Sequence, residues 1–346
     1  MMNTKQILLD FSAVTGIAGK EEQAVQLGAK LLEPYGKVRV HPQGSLLCRV
    51  WETDPAAPHL LLDAHIDEIG IIITHIEEDG FLRVAGCGGM DRRILMASPV
   101  VIDARSGPVY GVFCSTPPHL TSGKELKNPK VDEMYVDIGC TKEQAEQRVF
   151  PGDRGTLYAP SRTLLGDACC GKALDDRAGC TAILYALELL KEDAPCCNLT
   201  VLFSSMEEVG GQGAKTAAYE ISPTHAIAVD VSFAHTPDAP RAKCGLLGEG
   251  PMVGFSPILS HAISRQLCDL AKEEEIPFQT EVMGGKTGTN ADQIATTRSG
   301  VLTGLVSIPQ KYMHTPLETV SVADVENTGR LLAAYVRSLG KEGKGW

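Results

Sequence analysis

The feature that most constrains the fold is the pattern after Gly166, where helix-like and strand-like segments alternate along the chain. Apolar residues recur with helical spacing in some segments and form short β-rich runs in others. Alternation of this kind predicts a sheet that is covered by helices on both faces. The predicted helices are residues 176–191, about 213–220, 260–275 and 322–339, and the predicted strands are residues 199–205, 226–230 and 301–308.

The first 69 residues add two helices and three short strands to this unit. Helical spacing runs through residues 4–32 and is broken by a turn at residues 16–19, which predicts two helices around a loop. Strands are predicted at residues 37–40, 45–51 and 59–63. The last of these is apolar enough for a buried, central position in the sheet.

Residues 70–164 have a different texture, in which short alternating segments are separated by Gly, Pro and Asp every few residues. This texture is typical of an all-β module. We therefore predict an α/β domain formed by residues 1–69 and 165–346, with a mixed sheet and helices on both faces, and an inserted all-β, barrel-like domain at residues 70–164. The strands predicted in the insert are 81–84, 99–104, 109–115 and 134–138, with one short helix at 142–148.

Composition excludes several classes of protein. The net charge is -11 and no dense run of Lys or Arg occurs, which argues against a nucleic-acid partner and against an anionic membrane surface. The first 20 residues lack an uninterrupted apolar run, so no signal peptide or transmembrane helix is indicated and a cytoplasmic location is expected. The 11 cysteines are scattered and form no CxxC pair. Reduced, mostly buried thiols are therefore expected, rather than a disulfide framework or a cysteine zinc site.

Candidate metal ligands fall just beyond predicted strands or at the start of a predicted helix. Ligand sites in open α/β sheets lie at the carboxyl ends of strands, where such residues meet. Taken singly, each residue has an ordinary interpretation, such as helix capping for an Asp or a solvated surface charge for a Glu. Their common placement is the evidence for a site. The candidate ligands are His65, Asp175, Glu208, Asp230 and His314.

The chemistry of this set suits two divalent metal ions. Two imidazoles and three carboxylates are ligands for Zn²⁺, Co²⁺ or Mn²⁺ that leave positions open for water, and one carboxylate must bridge in a two-metal site. Glu207 and Glu208 are consecutive and point to different sides of the chain, so one can bind a metal while the other handles a proton. Asp67 shares a face of the extended chain with His65 and can accept a hydrogen bond from its ring.

Several motifs are similar to those of the TET aminopeptidases, metallopeptidase family forty-two, which includes glutamyl aminopeptidases and proteins labelled endoglucanase M or FrvX-like. The resemblance runs nearly end to end. The motifs are DAHIDEIG at residues 63–70, DIG and TKEQA within 137–145, KALDDRAG at 172–179, MEEVGGQGA at 206–214, VD at 229–230 and YMHTPLE at 312–318.

The resemblance implies a zinc-peptidase-like fold and an aminopeptidase that acts on short peptides through two metal ions, zinc first, with cobalt or manganese as alternatives. Glu207 would be its general base and Asp67 the partner of the first imidazole. The ligands would be His65 and Asp230 on one ion, Glu208 and His314 on the other, and Asp175 on both.

The resemblance also implies two structural features, and this chain departs from many relatives at one position. The peptide bond between Asp175 and Asp176 is expected to be cis, and the inserted module is expected to mediate dimer contacts within a larger, tetrahedral dodecamer. Many relatives carry TDA where this chain has Thr289-Asn290-Ala291. Because Asn290 is not a ligand, this departure is expected to affect substrate preference or the surroundings of the ligands rather than metal binding.

Other functions remain open at this stage: a different dinuclear-metal amide hydrolase of deacylase or carboxypeptidase type, an endoglucanase, or a non-catalytic scaffold. Glycoside hydrolysis needs carboxyl groups free of metal and usually aromatic platforms, whereas this chain has two tryptophans. A scaffold that had lost activity would usually lack at least one ligand. The preferred N-terminal residue is not predicted. Lys286, Arg298 and Lys311 are candidates for binding an acidic side chain, each with an ordinary surface charge as the alternative.

Overall fold

A computed structural model describes residues 2–120 and 129–339 of the chain. Eleven strands form one mixed sheet: β1 (Lys37–Val40), β2 (Leu46–Trp51), β3 (His59–His65), β10 (Arg162–Thr163), β11 (Ala168–Gly171), β12 (Asn198–Ser204), β13 (His225–Phe233), β14 (Met252–Phe255), β15 (Gln279–Val282), β16 (Leu302–Lys311) and β17 (Glu318–Ser321). The main path has the order β1-β2-β12-β3-β13-β16-β17-β11-β10, and β14 connects β15 to β16.

The central strands β12, β3, β13 and β16 are parallel, so their carboxyl ends meet at one edge of the sheet. These strands are nearly continuous apolar runs because both faces of the sheet are covered. In the register, His65 lies beside Ser204 and Asp230 lies beside Ser307. This edge therefore collects polar residues from distant parts of the chain.

Helices cover both faces of the sheet, as predicted. Because side chains alternate along a strand, Leu60 and Leu62 face one helical layer and Leu61 faces the other. The first layer contains α1 (Thr4–Ala13), α2 (Glu22–Leu32), α4 (Leu174–Leu190), α6 (His261–Glu273) and α8 (Val322–Leu339), and the second contains α5 (Gln212–Ile221) and α7 (Ala291–Ile294).

The inserted segment forms a closed barrel with its own core. Six strands close into a barrel and enclose apolar side chains such as Ile71, Val84 and Phe113. The prediction of a mixed α/β fold with a barrel-like insert is thus confirmed. The barrel contains β4 (Gly70–Ile76), β5 (Leu82–Cys87), β6 (Pro99–Ala104), β7 (Gly107–Phe113), β8 (Tyr135–Asp137) and β9 (Arg154–Leu157). These strands are joined in the order β4-β5-β8-β7-β6-β9, and α3 (Lys142–Glu146) packs beside them.

Some predicted boundaries differ from the structure. β3 ends with His65, and β13 continues to Phe233, so His65 and Asp230 lie within strands rather than just beyond them. The strands continue because each of these residues has a ladder partner on a parallel neighbour, Ser204 of β12 for His65 and Ser307 of β16 for Asp230. Strands β4, β9, β10, β11, β14, β15 and β17 and helix α7 were not predicted. All of these except β4 have at most four residues, which is too short for a clear periodicity.

The state of the cysteines and the polarity of the helices are two further features of the structure. All 11 cysteines lie in the described ranges and all are free thiols, which confirms the prediction that no disulfide framework is present. Across residues 2–120 and 129–339, every helix is too short or too polar to cross a membrane.

A buried ionic network around Glu68 joins the sheet to the barrel. The Glu68 carboxylate accepts hydrogen bonds from Lys172 Nζ at 2.8 and 2.9 Å, from Arg177 Nη2 at 3.3 Å and from the backbone N–H of Gly16 at 2.9 Å. It also accepts a hydrogen bond at 3.0 Å from the hydroxyl of Thr156 on β9 of the barrel. Burial alone would raise the pKa of Glu68, but the charges of Lys172 and Arg177 outweigh burial and lower it.

We expect Glu68→Gln to reduce the free energy of unfolding by about 3–5 kcal/mol, because it leaves two buried cations without their anionic partner. The lowered pKa of Glu68 means that its contribution is present at neutral pH and is lost as the pH falls through the folded-state pKa. Thr156→Val is the control. It keeps the ion pairs and should cost only about 1–2 kcal/mol. Denaturant unfolding measures both variants, and equal losses would contradict the ionic role of Glu68.

Candidate metal centre

The predicted ligands meet at the carboxyl edge of the parallel strands. They form two groups, and within each group the ligand atoms lie within 4.8 Å of one another. Both groups contain Asp175. One group is His65, Asp175 and Asp230, and the other is Asp175, Glu208 and His314.

The two carboxylate oxygens of Asp175 face different imidazoles. Oδ1 lies 2.9 Å from His65 Nε2, and Oδ2 lies 3.3 Å from His314 Nε2. Asp230 Oδ1 is 4.0 Å from His65 Nε2, and Glu208 Oε1 is 3.3 Å from His314 Nε2. Asp175 therefore stands where a carboxylate shared by two ions would stand.

Left-handed backbone conformations lie beside these ligands. Ala173, Met206 and His314 have φ values of 55°, 57° and 60°. Such values are uncommon for residues other than glycine and cluster at functional sites, where the surrounding structure holds them in place. The peptide bond between Asp175 and Asp176 is cis, as the resemblance implied.

Asp67 fixes the loop that carries the two glutamates. Its Oδ1 accepts a hydrogen bond from the backbone N–H of Glu207 at 3.0 Å, and its Oδ2 accepts one from Glu208 at 3.2 Å. The ring of His65 contacts Asp67 mainly through the backbone, since Nδ1 lies 3.1 Å from the carbonyl oxygen and 3.6 Å from Oδ1. The sequence pointed only to a contact with the ring, whereas the carboxylate of Asp67 also positions Glu207 and Glu208.

Glu318 is a site residue for which the sequence predicted no role. Its side chain is buried, and its two oxygens accept hydrogen bonds from the backbone N–H groups of His314 and Asp175, each at 3.0 Å. Burial raises the pKa of Glu318 well above its ordinary value, and the nearby charge of Asp175 adds to this effect. Glu318 therefore positions His314 and the shared Asp175. Only its place in the motif at residues 312–318 marked it in the sequence.

The barrel reaches the site through two glycines that follow β5. A Cβ atom at Gly89 would lie 3.2 Å from His314 Nδ1, and one at Gly88 would lie 3.2 Å from Glu208 Oε2. Gly88 also has a φ of +78°. Glycine at these positions allows the barrel backbone to approach the two ligands closely.

The electrostatics of the site favour bound cations. Burial raises the pKa of Glu207 to about 7 and raises that of Asp230 well above its ordinary value. Burial would lower the pKa of His314, but hydrogen bonds with Asp175 and Glu208 raise it to about 11. Without metal, the raised pKa values favour protons that offset the surplus of negative charge in the folded site. A set of three carboxylates and two imidazoles with this charge balance fits two divalent ions.

A cavity of about 400 Å³ lies over both ligand groups. Within the described ranges, no Lys or Arg lines it, so Lys286, Arg298 and Lys311 do not form its wall. Arg298 instead packs 4.2 Å from the ring centre of Tyr219. Asn290 is buried and donates a hydrogen bond of 2.7 Å from Nδ2 to the hydroxyl of Ser204.

Comparisons with known proteins identify the family of the chain. The model of the family described as M42 glutamyl aminopeptidase matches residues 44–331. The chain is 33% identical over 312 residues to a lysyl aminopeptidase of Pyrococcus furiosus, a match that covers 89% of this chain and 86% of that protein. The solved aminopeptidase APDkam598 from the archaeon Desulfurococcus kamchatkensis has a TM-score of 0.90 and 30% identity, with 99% of this chain and 98% of that chain covered.

A second solved structure is the TET1 peptidase of Pyrococcus horikoshii, which is described as able to assemble into a tetrahedron or a large octahedral shell. Its TM-score is 0.86 and its identity 30%, with 96% of this chain and 99% of that chain covered. The family match extends over most of the chain and includes every candidate ligand. The chain belongs to the M42 aminopeptidase family.

Proposed function

We propose that this protein is an aminopeptidase that binds two divalent metal ions and removes N-terminal residues from short peptides. The observation that carries the proposal is the position of Asp175, whose two oxygens face the imidazoles of two separate ligand groups. Membership of the M42 family supports the class of reaction.

The residues would hold the ions in two sets that share Asp175. His65 and Asp230 belong to the first set, and Glu208 and His314 to the second. Nitrogen and oxygen ligands of this kind favour Zn²⁺ and also accept Co²⁺ or Mn²⁺. When bound, the ions would supply Lewis acidity that makes a water molecule more acidic and polarises the carbonyl of the scissile peptide bond.

Glu207 is suited to move the proton in this reaction. It lines the cavity but belongs to neither ligand group, so its carboxylate is free to act as a base. In the metal-free site burial raises its pKa to about 7, and nearby bound cations would favour the charged form that accepts a proton. Its carboxylate takes the proton of the attacking water and returns it to the nitrogen of the leaving amine. Asp67 holds the backbone of Glu207 in place during both transfers.

The charge of the cavity favours cleavage at the N-terminus of a peptide. The substrate's free α-amino group, in its neutral form, would approach the side of the site formed by His65 and Asp230, where a bound ion would accept it as a ligand. A carboxypeptidase needs a cation to bind the terminal carboxylate of its substrate, and within the described ranges no Lys or Arg lines this cavity. The observed charges thus support an aminopeptidase over the carboxypeptidase alternative.

We also propose that the barrel mediates self-association to a dimer and a larger assembly. Tyr110 and Tyr158 form an edge-to-face pair with ring centres 5.5 Å apart, yet they remain 60% and 48% exposed, and Phe150 is 72% exposed. Exposed aromatic groups of this kind often mark protein contacts. Light scattering should give a mass of a dimer or of a multiple of dimers, and a monomer at all concentrations would contradict the proposal. The expected cytoplasmic location stays a prediction.

The proposed function predicts metal-dependent release of single amino acids from aminoacyl anilides. Zinc-loaded protein should hydrolyse at least one anilide, a chelator should abolish the activity, and added Zn²⁺, Co²⁺ or Mn²⁺ should restore it. Hydrolysis that persists after the metal has been removed completely, or no hydrolysis with any of these ions, would contradict the proposal.

Within this assay, Glu207→Gln should lower kcat by about 10²- to 10⁴-fold, because it removes the proton acceptor. Elemental analysis should find as much metal in this variant as in the wild type. Glu273→Gln is the matched control, since it makes the same change at an exposed position on α6 and should leave kcat and metal content unchanged. If Glu207→Gln retained turnover with its metal bound, another group would have to be the base.

The raised pKa values predict how metal removal changes stability. Folded Glu207 binds a proton between its ordinary pKa of 4.5 and about 7, and folded His314 does so between 6.5 and about 11. In these ranges the folded state binds more protons than the unfolded state, so the stability of the metal-free protein should fall as the pH rises. Bound metal replaces these protons and should flatten the dependence. Melting temperatures of chelated and zinc-loaded protein test this, and equal slopes would contradict it.

A further inference from the structure

We infer that Glu281 selects peptides whose N-terminal residue carries a cationic side chain, lysine or arginine. The inference rests on the proposed aminopeptidase function and adds the class of substrate to it. The relatives leave this question open, because the family is described by a glutamyl activity and the relative from Pyrococcus furiosus by a lysyl activity. The residues that line the cavity of this chain must therefore determine whether it prefers an acidic or a cationic N-terminal side chain.

Glu281 lies on the wall of the cavity that contains the candidate metal ligands. It belongs to β15 and lines the same cavity as Asp230. Ser232 is two residues beyond Asp230 on β13, so both side chains point to the same face of the strand. The hydroxyl of Ser232 donates a hydrogen bond to Oε1 of Glu281. Two residues along a strand span roughly 6.6 Å, which is comparable with the length of the four-carbon stem of lysine.

The other oxygen of Glu281 lacks a partner. Oε2 is buried, and no hydrogen-bond donor reaches it from the described part of the chain. Leaving a buried carboxylate oxygen unpaired is costly. The ammonium group of lysine or the guanidinium group of arginine would supply both the missing donor and the opposite charge.

The rest of this wall fits the aliphatic part of such a side chain. Met283, Leu305 and Phe233 line the same cavity as Glu281 and offer apolar surface to a methylene stem. An acidic side chain would be repelled by Glu281, and within the described ranges no Lys or Arg lines this cavity to pair with it. A neutral side chain such as leucine would contact the apolar wall but leave Glu281 unpaired.

The first experiment compares kcat/KM for lysyl, arginyl, leucyl and glutamyl anilides with the zinc-loaded, full-length protein. We expect the wild type to prefer lysyl and arginyl anilides and to hydrolyse the glutamyl anilide most slowly. Glu281→Gln should reduce the ratio of lysyl to leucyl kcat/KM by about tenfold to a hundredfold, mainly through the KM for the lysyl anilide. Glu273→Gln, which removes an exposed charge outside the cavity, should leave the ratio as in the wild type.

A binding measurement separates recognition from turnover. Free L-lysine and L-norleucine share the same carbon stem and differ by the terminal amine, so they serve as matched competitors against leucyl anilide. L-Lysine should inhibit the wild type more strongly than L-norleucine, and Glu281→Gln should remove this difference. Glu281→Lys provides a second variant with the opposite charge, and it should shift preference towards the glutamyl anilide. Melting temperatures and metal content verify that each variant is folded and loaded.

Each result bears on one of the two proposals. A wild type that hydrolyses leucyl or glutamyl anilides as well as lysyl ones would overturn the selection by Glu281 while leaving the aminopeptidase function intact. Retention of the lysyl preference in folded, metal-loaded Glu281→Gln would also overturn it. Failure to hydrolyse any anilide with Zn²⁺, Co²⁺ or Mn²⁺ would overturn the aminopeptidase function and the inference with it.

Discussion

The concentration of negative charge at one edge of the sheet is the constraint on which the rest of the structure depends. The carboxyl edge of the parallel strands and the start of α4 bring Asp175, Glu207, Glu208 and Asp230 into one largely buried volume, and burial of unpaired carboxylates is unfavourable. Burial raises the pKa of Glu207 and of Asp230, which favours retained protons when no cation compensates the charge. Divalent ions would replace these protons. The fold thus holds together carboxylates whose negative charge is offset either by protons or by bound cations.

The junction between β3 and β4 connects the site to the stability of the whole molecule. Within four residues, His65 is a candidate ligand, Asp67 holds the loop of the two glutamates, and Glu68 joins the sheet to the barrel. The partners of Glu68 are Lys172 and Arg177, which flank Asp175 along the chain. The segment that carries the shared carboxylate is therefore anchored on both sides by buried ion pairs. Such anchoring keeps ligands in place even when the carboxylates repel one another.

Long periodic segments made much of the fold predictable. The helices at both ends of the chain and the apolar central strands follow clear patterns, and two candidate ligands, His65 and Asp230, lie near the carboxyl ends of such strands. The wall of the cavity was less predictable from the sequence, because β15, which carries Glu281, has only four residues. The position of Glu281 near the strand that carries Asp230 depends on the pairing of β15 with β14 and of β14 with β16.

Other parts of the site depend on contacts between residues far apart in the sequence. Glu318 binds the backbone of Asp175, 143 residues away, and no local pattern encodes that contact. Gly88 and Gly89 approach Glu208 and His314 only because the barrel docks on the sheet. Asp67 illustrates a partial success, since spacing indicated its neighbour His65 but not its hydrogen bonds to the loop after β12.

The central claim is that one chain holds two divalent ions on either side of Asp175. Anomalous diffraction at the zinc absorption edge, from crystals of zinc-loaded protein, tests this most directly because it locates each ion. The account predicts two peaks, one beside His65 and Asp230 and one beside Glu208 and His314, with the Asp175 carboxylate between them. A single peak, or peaks remote from Asp175, would contradict it.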